Sequence, residues 1–109
     1  MPILHRVYEL YKLFYQYEQH LPQKDRYCIG QKCEKIILDI LELIIGTIQS
    51  PKNRKLELLN EASIKLNILR IIIRLSKDIK ALDFKKYITL QENINEIGRM
   101  LGGWIKSLK

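Results

Sequence analysis

Basic side chains repeat along one predicted helix in the second half of the chain. Arg70, Arg74 and Lys77 are spaced by four and three residues, so they share a helix face, and Lys80 follows three residues later. No Asp or Glu stands four residues before any of them to neutralise the charge. Such a stripe can bind a multivalent anion such as RNA or DNA, through salt-dependent phosphate contacts that read no base sequence. The alternative is a solvated helix face that binds nothing.

The net charge of the chain is concentrated in the same half. The chain carries 19 Lys and Arg against 12 Asp and Glu, a formal charge of +7. Residues 1–50 hold six basic and six acidic side chains, whereas residues 51–109 hold thirteen and six. The second half is therefore the predicted footprint for a polyanionic partner. Arg99 and Lys106, on the last predicted helix, are further candidates for this surface.

Patterns of catalysis and metal binding are missing from the sequence. The serines have no His and Asp context, no Glu-x-x-His pair occurs, and no glycine-rich loop joins a strand to a helix. Cys28 and Cys33 are five residues apart, which is typical of no zinc or haem site, and we expect reduced thiols. We predict a noncatalytic protein without a metal or cofactor.

Three glycines interrupt the last predicted helix. Each costs about 1 kcal/mol relative to alanine inside a helix, so their presence predicts a face that another helix or a ligand approaches closely. Gly98 and Gly102 share a face and Gly103 lies beside it. Trp104 follows, and we interpret it as a core or interface anchor rather than a platform for a nucleic-acid base.

Hydrophobic periodicity predicts four helices and no strands. The predicted helices run from Ile3 to about Gln19, from Pro22 to about Gln49, from Pro51 to about Leu82, and from Phe84 to the end of the chain. Ser50 and Asp83 are the predicted N-caps of the last two, because their side-chain oxygens can accept from free amides. Short connections favour antiparallel neighbours, so we expect one domain, residues 1–109, folded as an up-down-up-down four-helix bundle.

The inward face of each helix follows from the same periodicity. The first helix offers Leu4, Val7, Tyr8, Tyr11, Phe14 and Tyr15, with position 18 in the same frame; the third offers Leu59, Ala62, Leu66, Leu69, Ile73 and Ser76; the fourth offers Phe84, Tyr87, Ile88, Ile94, Ile97, Leu101, Ile105 and Leu108. The second helix is apolar around most of its circumference between residues 36 and 48. A bundle core needs one stripe, so this excess predicts self-association.

Composition places the chain among globular proteins. It is 47% hydrophobic and 28% charged, and its 109 residues suit a single core. The apolar runs are far too short to span a bilayer, and no basic-then-apolar leader opens the sequence. We therefore expect a soluble cytoplasmic protein.

The sequence resembles a known family in its arginines and its last helix. Leu69-Arg70, Arg74-Leu75 and the run from Asn95 to Lys106 resemble the accessory variability determinant, Avd, of diversity-generating retroelements. The resemblance implies a four-helix protomer that assembles into a homopentameric barrel and binds the retroelement reverse transcriptase. It also implies contact with the template RNA or cDNA during mutagenic copying. Arg70 and Arg74 occupy the matching arginine positions, and the similarity covers nearly the whole chain.

A wider superfamily with the same fold leaves an alternative open. It contains four-helix proteins encoded in intervening sequences of ribosomal RNA genes, which have no reverse transcriptase partner. The basic stripe would then serve solubility alone. A neighbouring reverse-transcriptase gene with near-identical repeats would favour the first reading, and a position inside a ribosomal RNA gene the second.

Overall fold

Four long helices make up the chain, as predicted, and no strand is present. A computed structural model describes all of residues 1–109 and places α1 at Pro2–Glu18, α3 at Lys52–Asp78 and α4 at Phe84–Ser107. The remaining helix, α2, is continuous over residues 23–49 and has three parts: an α-helical turn at Gln23–Asp25, a π-helical turn at Arg26–Gly30, and an α-helix at Gln31–Gln49. The π-turn was not predicted.

The helices pack as an antiparallel bundle. Each contacts two neighbours, so that α1, α2, α3 and α4 follow one another around the core and α1 lies diagonally opposite α3. Lys55 Nζ reaches the Thr47 carbonyl at 2.7 Å. Further along, Lys65 Nζ reaches Asp39 at 3.2 Å, so residue numbers rise in α3 as they fall in α2. The molecule measures 43 × 21 × 19 Å, the length of its longest helices.

The core confirms the prediction for α3 in full and for α1 and α4 in part. All six residues predicted for α3 are buried. In α4 the buried residues are Leu90, Ile94, Ile97 and Leu101. Phe84 and Ile88 are 65% and 39% exposed, so their prediction is wrong. Leu90, four residues before Ile94, shares its helix face and is buried instead. Tyr8 and Tyr15 of α1 are likewise exposed, and Leu10 takes the inner position.

The helix ends differ from the prediction at one cap. Asp83 caps α4 as expected, since its side chain accepts from the Lys86 N–H at 2.8 Å. Ser50 does not cap α3. Its hydroxyl donates to the Gly46 carbonyl at 2.6 Å and so completes the end of α2, while Pro51 lies before α3 rather than inside it. A serine between two helices can serve either one, because its hydroxyl both donates and accepts.

The third helix stops earlier than predicted, at Asp78. Lys80 takes a left-handed backbone conformation, with φ of 66°. The Ala81 N–H then donates to the Ser76 carbonyl and the Lys80 N–H to the Lys77 carbonyl, both at 2.9 Å. This Schellman arrangement satisfies free carbonyls and ends the helix.

Two helices also present apolar residues to solvent. Along α3 and its C-cap residue, an outer stripe, opposite the core, consists of Ile64, Ile68, Ile71, Leu75 and Ile79, which are 40% to 68% exposed. On α2 the exposed aliphatic residues are Leu38, Ile45 and Ile48. The excess of apolar residues predicted for α2 therefore lies on the surface. The set of exposed aliphatic residues on α3 is larger. None of the helices combines the length and apolar character needed to cross a lipid bilayer.

Candidate nucleic-acid interface

A groove between α3 and α4 contains Arg70 and Arg74, the first two residues of the predicted basic stripe. It encloses about 350 Å³ and is lined by Asn67, Arg70, Ile71, Arg74, Tyr87 and Gln91; we call it the basic groove. No carboxylate lies within 4.0 Å of either arginine. Both guanidinium charges are therefore free to meet a ligand.

Arg70 is held in place by uncharged amides from two helices. Its Nη1 donates to Asn67 Oδ1 at 2.6 Å, one turn earlier on α3. Its Nε donates to Asn95 Oδ1 on α4 at 3.3 Å. Its backbone carbonyl accepts from Gln91 Nε2 at 3.2 Å. These amides orient the guanidinium without removing its charge.

Gly98 provides the space in which the Arg70 guanidinium lies. A Cβ at this position would stand 2.9 Å from Arg70 Nη2 and 3.4 Å from Leu66 Cδ2. The close approach predicted from this glycine is thus made by a side chain, not by a helix backbone. A Cβ at Gly102 or Gly103 would meet nothing within 4 Å. Trp104 is half-buried and packs against the core. Contacts of this segment with another copy remain a prediction.

Lys77 extends the basic groove toward the end of α3, whereas Lys80 does not. Lys77 Nζ lies 4.8 Å from the centre of the Tyr87 ring, where a cation is attracted to the π face. It also lies 3.2 Å from Asp78 Oδ1. Lys80 lies beyond the last turn of α3 and has a left-handed backbone conformation, so it is not part of the stripe.

Arg99 and Lys106 lie outside the basic groove. Arg99 Nε donates to Glu96 Oε2 at 3.0 Å. This hydrogen bond raises the pKa of Arg99 and lowers the pKa of Glu96 below its usual range. Lys106 is exposed one turn before the end of the chain. Neither residue lines the groove, so the structure joins Arg70, Arg74 and Lys77 and leaves these two apart.

Comparison with known families identifies the fold family. A model of the bAvd-like family matches residues 1–108. The chain belongs to the bAvd-like family. A search of curated proteins finds no match. At the level of this family, the chain has an accessory role of the Avd type, and the family is in general noncatalytic.

The basic groove of this bAvd-like protein includes residues that sequence reasoning missed. Asn67, Tyr87, Gln91 and Asn95 contact or surround the arginines; Asn95 lies in the run that resembles Avd, and no motif distinguishes the other three. One signal was available: Tyr87, Gln91, Asn95 and Gly98 recur at spacings of four, four and three, which places them on one side of α4. Pairing that side with the arginine face of α3 requires the bundle geometry.

The chemistry available in the groove is recognition of phosphate. A guanidinium presents a planar fork of donors that matches two phosphate oxygens, and neutral amides beside it can donate further hydrogen bonds.

The two cysteines lie outside the groove. Both are free thiols, Cys28 exposed and Cys33 buried, and burial raises the pKa of the Cys33 thiol to about 12. The Cys33 thiol is therefore inert at neutral pH.

Proposed function

We propose that this bAvd-like protein is a noncatalytic accessory subunit of a diversity-generating retroelement. It binds the template RNA or cDNA through the basic groove and associates with the reverse transcriptase that copies it. The observation that supports this proposal most directly is Arg70, which is positioned by Asn67 and Asn95 and has no carboxylate partner. Family membership and the charge of the second half support the same conclusion.

Pre-positioning matters because ordering a flexible arginine costs free energy on binding. A rotamer-rich side chain loses about 0.5–1.5 kcal/mol when a ligand immobilises it. Arg70 is already restrained between two helices. Its contribution to phosphate binding is therefore larger than that of a mobile surface lysine, while the contact remains independent of base sequence.

We propose that copies of the chain assemble into a ring, with the outer stripe of one copy seated on the α1–α2 side of the next. The stripe lies in the half that carries the whole net charge, so stripe-to-stripe contact brings two positive halves together. The α1–α2 half is neutral and exposes Tyr8, Tyr15 and Leu38. Contact between two different faces is head-to-tail, and it forms a ring when the rotation between successive copies closes. The family resemblance gives the number as five.

The first test replaces both groove arginines, as Arg70→Gln with Arg74→Gln. Loss of two phosphate contacts should weaken binding of single-stranded template RNA by about tenfold or more at low salt. The slope of log affinity against log salt should fall by roughly 1.4, since each contact to a single strand contributes about 0.7. Fluorescence anisotropy across a salt series measures both. Stability should change little, because the two side chains are not in ion pairs.

The matched control is Lys24→Gln with Lys32→Gln, which removes the same charge from exposed positions on α2. This variant should keep the RNA affinity and slope of the parent. Equal losses in both variants would mean that the net charge alone determines binding. Loss of reverse transcriptase binding with RNA affinity intact would identify the groove as a protein-binding surface instead. Failure of the parent protein to co-purify with the reverse transcriptase at low salt would contradict the accessory role.

A further inference from the structure

A second group of polar side chains lies at the corner where α1 ends and α2 begins. Glu18, the last residue of α1, is only 4% exposed. Glu18 and Glu34 of α2 line the same small cavity, and Glu34 Oε1 also accepts from the Tyr11 hydroxyl at 3.4 Å. Buried carboxyls are rare unless a cation or several donors pair with them. We call Tyr11, Glu18, Arg26, Cys33 and Glu34 the corner cluster.

The backbone is shaped around the Glu18 carboxyl. A Cβ at Gly30 would stand 2.5 Å from Glu18 Oε2, so only glycine leaves space for the carboxyl. Gly30 is the last residue of the π-turn. Turns of this kind insert an extra residue into a helix and occur often at functional positions. The Glu18 carboxyl therefore packs directly against the π-turn, the one irregular turn of α2.

The nearest cation of the corner cluster is directed elsewhere. Arg26 Nη2 donates to the Gln19 carbonyl at 3.0 Å and lies 3.5 Å from the Leu21 carbonyl, so it caps the free end of α1. Arg26 makes no ion pair with Glu18 or Glu34 within 4.0 Å, and its Nε is buried without a partner. The buried Glu18 and the half-buried Glu34 thus lie together without an ion pair to a basic side chain.

We propose that Glu18 and Glu34 form a proton-operated latch on the α1–α2 corner. With one proton between them, the Glu18 carboxyl donates a hydrogen bond to Glu34 and the corner is closed. When that proton leaves, two neighbouring negative charges repel each other, and the Glu18 side chain moves out of the space beside Gly30. The π-turn then loosens, while the rest of the bundle stays folded. This inference is independent of the proposed function.

The direction of the pH dependence follows from the environment of Glu18. Its pKa is raised from 4.5 to about 7, first by burial and next by the charge of Glu34 and the hydrogen bond with it, against the opposing effect of Arg26. The pKa of Glu18 is higher in the folded state than in the unfolded state. The contribution of Glu18 to stability is therefore complete below pH 4.5 and is lost as the pH rises through about 7. The latch opens near neutral pH.

The other titratable groups of the corner do not change charge in that range. Burial and the nearby Glu34 raise the pKa of Tyr11, and burial raises the pKa of Cys33 to about 12. His5 and His20 are exposed on α1 and after it, and both are present in parent and variant. A difference between the two proteins therefore isolates the latch.

The test compares thermal unfolding of the parent and of Glu18→Gln from pH 5 to pH 8.5 at one protein concentration. The parent midpoint should fall as the pH rises. The variant keeps the shape of Glu18 without its charge, so its midpoint should change less and exceed that of the parent at pH 8.5. Glu92→Gln, at an exposed position on α4, is the matched control and should follow the parent. Parallel curves for the parent and Glu18→Gln would overturn the latch.

Three further measurements cover the case in which Glu18→Gln does not fold. Glu34→Gln removes the repelling charge from the other side and should also flatten the pH dependence. Carboxyl NMR titration of the parent should show a Glu18 midpoint far above the ordinary value, and an ordinary midpoint would overturn the proposal. Amide exchange at residues 26–30, corrected for its intrinsic pH dependence, should be roughly tenfold faster at pH 8.5 than at pH 5. Uniform exchange would likewise contradict it.

Discussion

Gly98 has a role at the scale of a single residue that its helix propensity alone would not suggest. Glycine inside a helix costs about 1 kcal/mol relative to alanine, and here the missing Cβ leaves space for the Arg70 guanidinium. The cost in helix propensity falls on α4, whereas the benefit, space for the Arg70 guanidinium, falls on α3. The arginine that the sequence marks as functional is thus placed by a glycine 28 positions later, in a different helix.

Gly98→Ala should therefore separate stability from binding. The added methyl group displaces the flexible end of Arg70, so the free energy of unfolding should stay the same or rise by up to about 1 kcal/mol. RNA affinity should fall severalfold, because the guanidinium loses its position between Asn67 and Asn95. Urea unfolding and anisotropy titration measure the two effects.

Gly102→Ala is the control, since nothing within the chain lies within 4 Å of its added Cβ. It should gain helix stability and keep the RNA affinity. Reduced assembly in this variant would show that the glycine faces another copy. Unchanged affinity in Gly98→Ala would mean that the position of Arg70 is unimportant.

Lys80 shows the opposite case, in which the residue present is not the one its backbone prefers. Its φ of 66° is a conformation that glycine adopts freely and that strains a side chain with a Cβ. Lys80→Gly should raise the free energy of unfolding by about 0.5–1 kcal/mol. Lys85→Gly, inside α4, should lower it by a similar amount. A destabilised Lys80→Gly protein would show that the lysine side chain makes a compensating contact.

At the scale of the helices, the sequence predicts what periodicity encodes and misses what depends on neighbours. The six inward residues of α3 follow spacings of three and four throughout, so all are correct. Phe84 and Ile88 are large apolar residues, and for that reason the sequence predicts burial. They lie out of helical frame with Ile94 and are exposed. Position 18 was in the inward frame of α1, yet burial of a glutamate there depends on Gly30, which belongs to another helix.

The π-turn illustrates a feature that sequence patterns do not encode. Its hydrogen bonds close over five residues instead of four, and no residue type strongly favours that ring. The segment Arg26–Gly30 contains no proline and only one glycine, so it resembles ordinary helix. Likewise, the arginine stripe was predictable from its spacing, whereas Asn95 and Tyr87 join it only because α4 packs against that side of α3.

At the scale of the whole molecule, charge and apolar surface are distributed unequally. The half formed by α3 and α4 carries the net charge of +7 and the outer stripe, and the half formed by α1 and α2 is neutral. A protein with chemically different faces can associate head-to-tail without bringing like charges together. The assembly that we propose therefore depends on the arrangement of the two halves and not on one motif.

Ile68→Glu with Ile71→Glu should disrupt that assembly and leave the protomer folded. Both side chains are exposed in the single chain, 40% and 68%, so charge there costs the protomer little. Multi-angle light scattering should show a mass close to the 13.0 kDa of one chain, against a ring of several copies for the parent. Circular dichroism should remain helical.

Phe84→Glu with Ile88→Glu is the matched control, because it adds the same charge to exposed apolar positions on α4. This variant should assemble like the parent. A parent protein that is monomeric in dilute solution would contradict the ring, and disruption by both double variants would show that added negative charge, rather than the outer stripe, governs assembly.

The two cysteines differ so strongly in environment that the natural chain is already suited to site-specific labelling. Cys28 is exposed and lies within the π-turn, whereas Cys33 is buried and stays in the thiol form. A maleimide dye will therefore react at a single position without any substitution. Because that position is the corner between α1 and α2, its fluorescence can report in real time the corner opening that we propose.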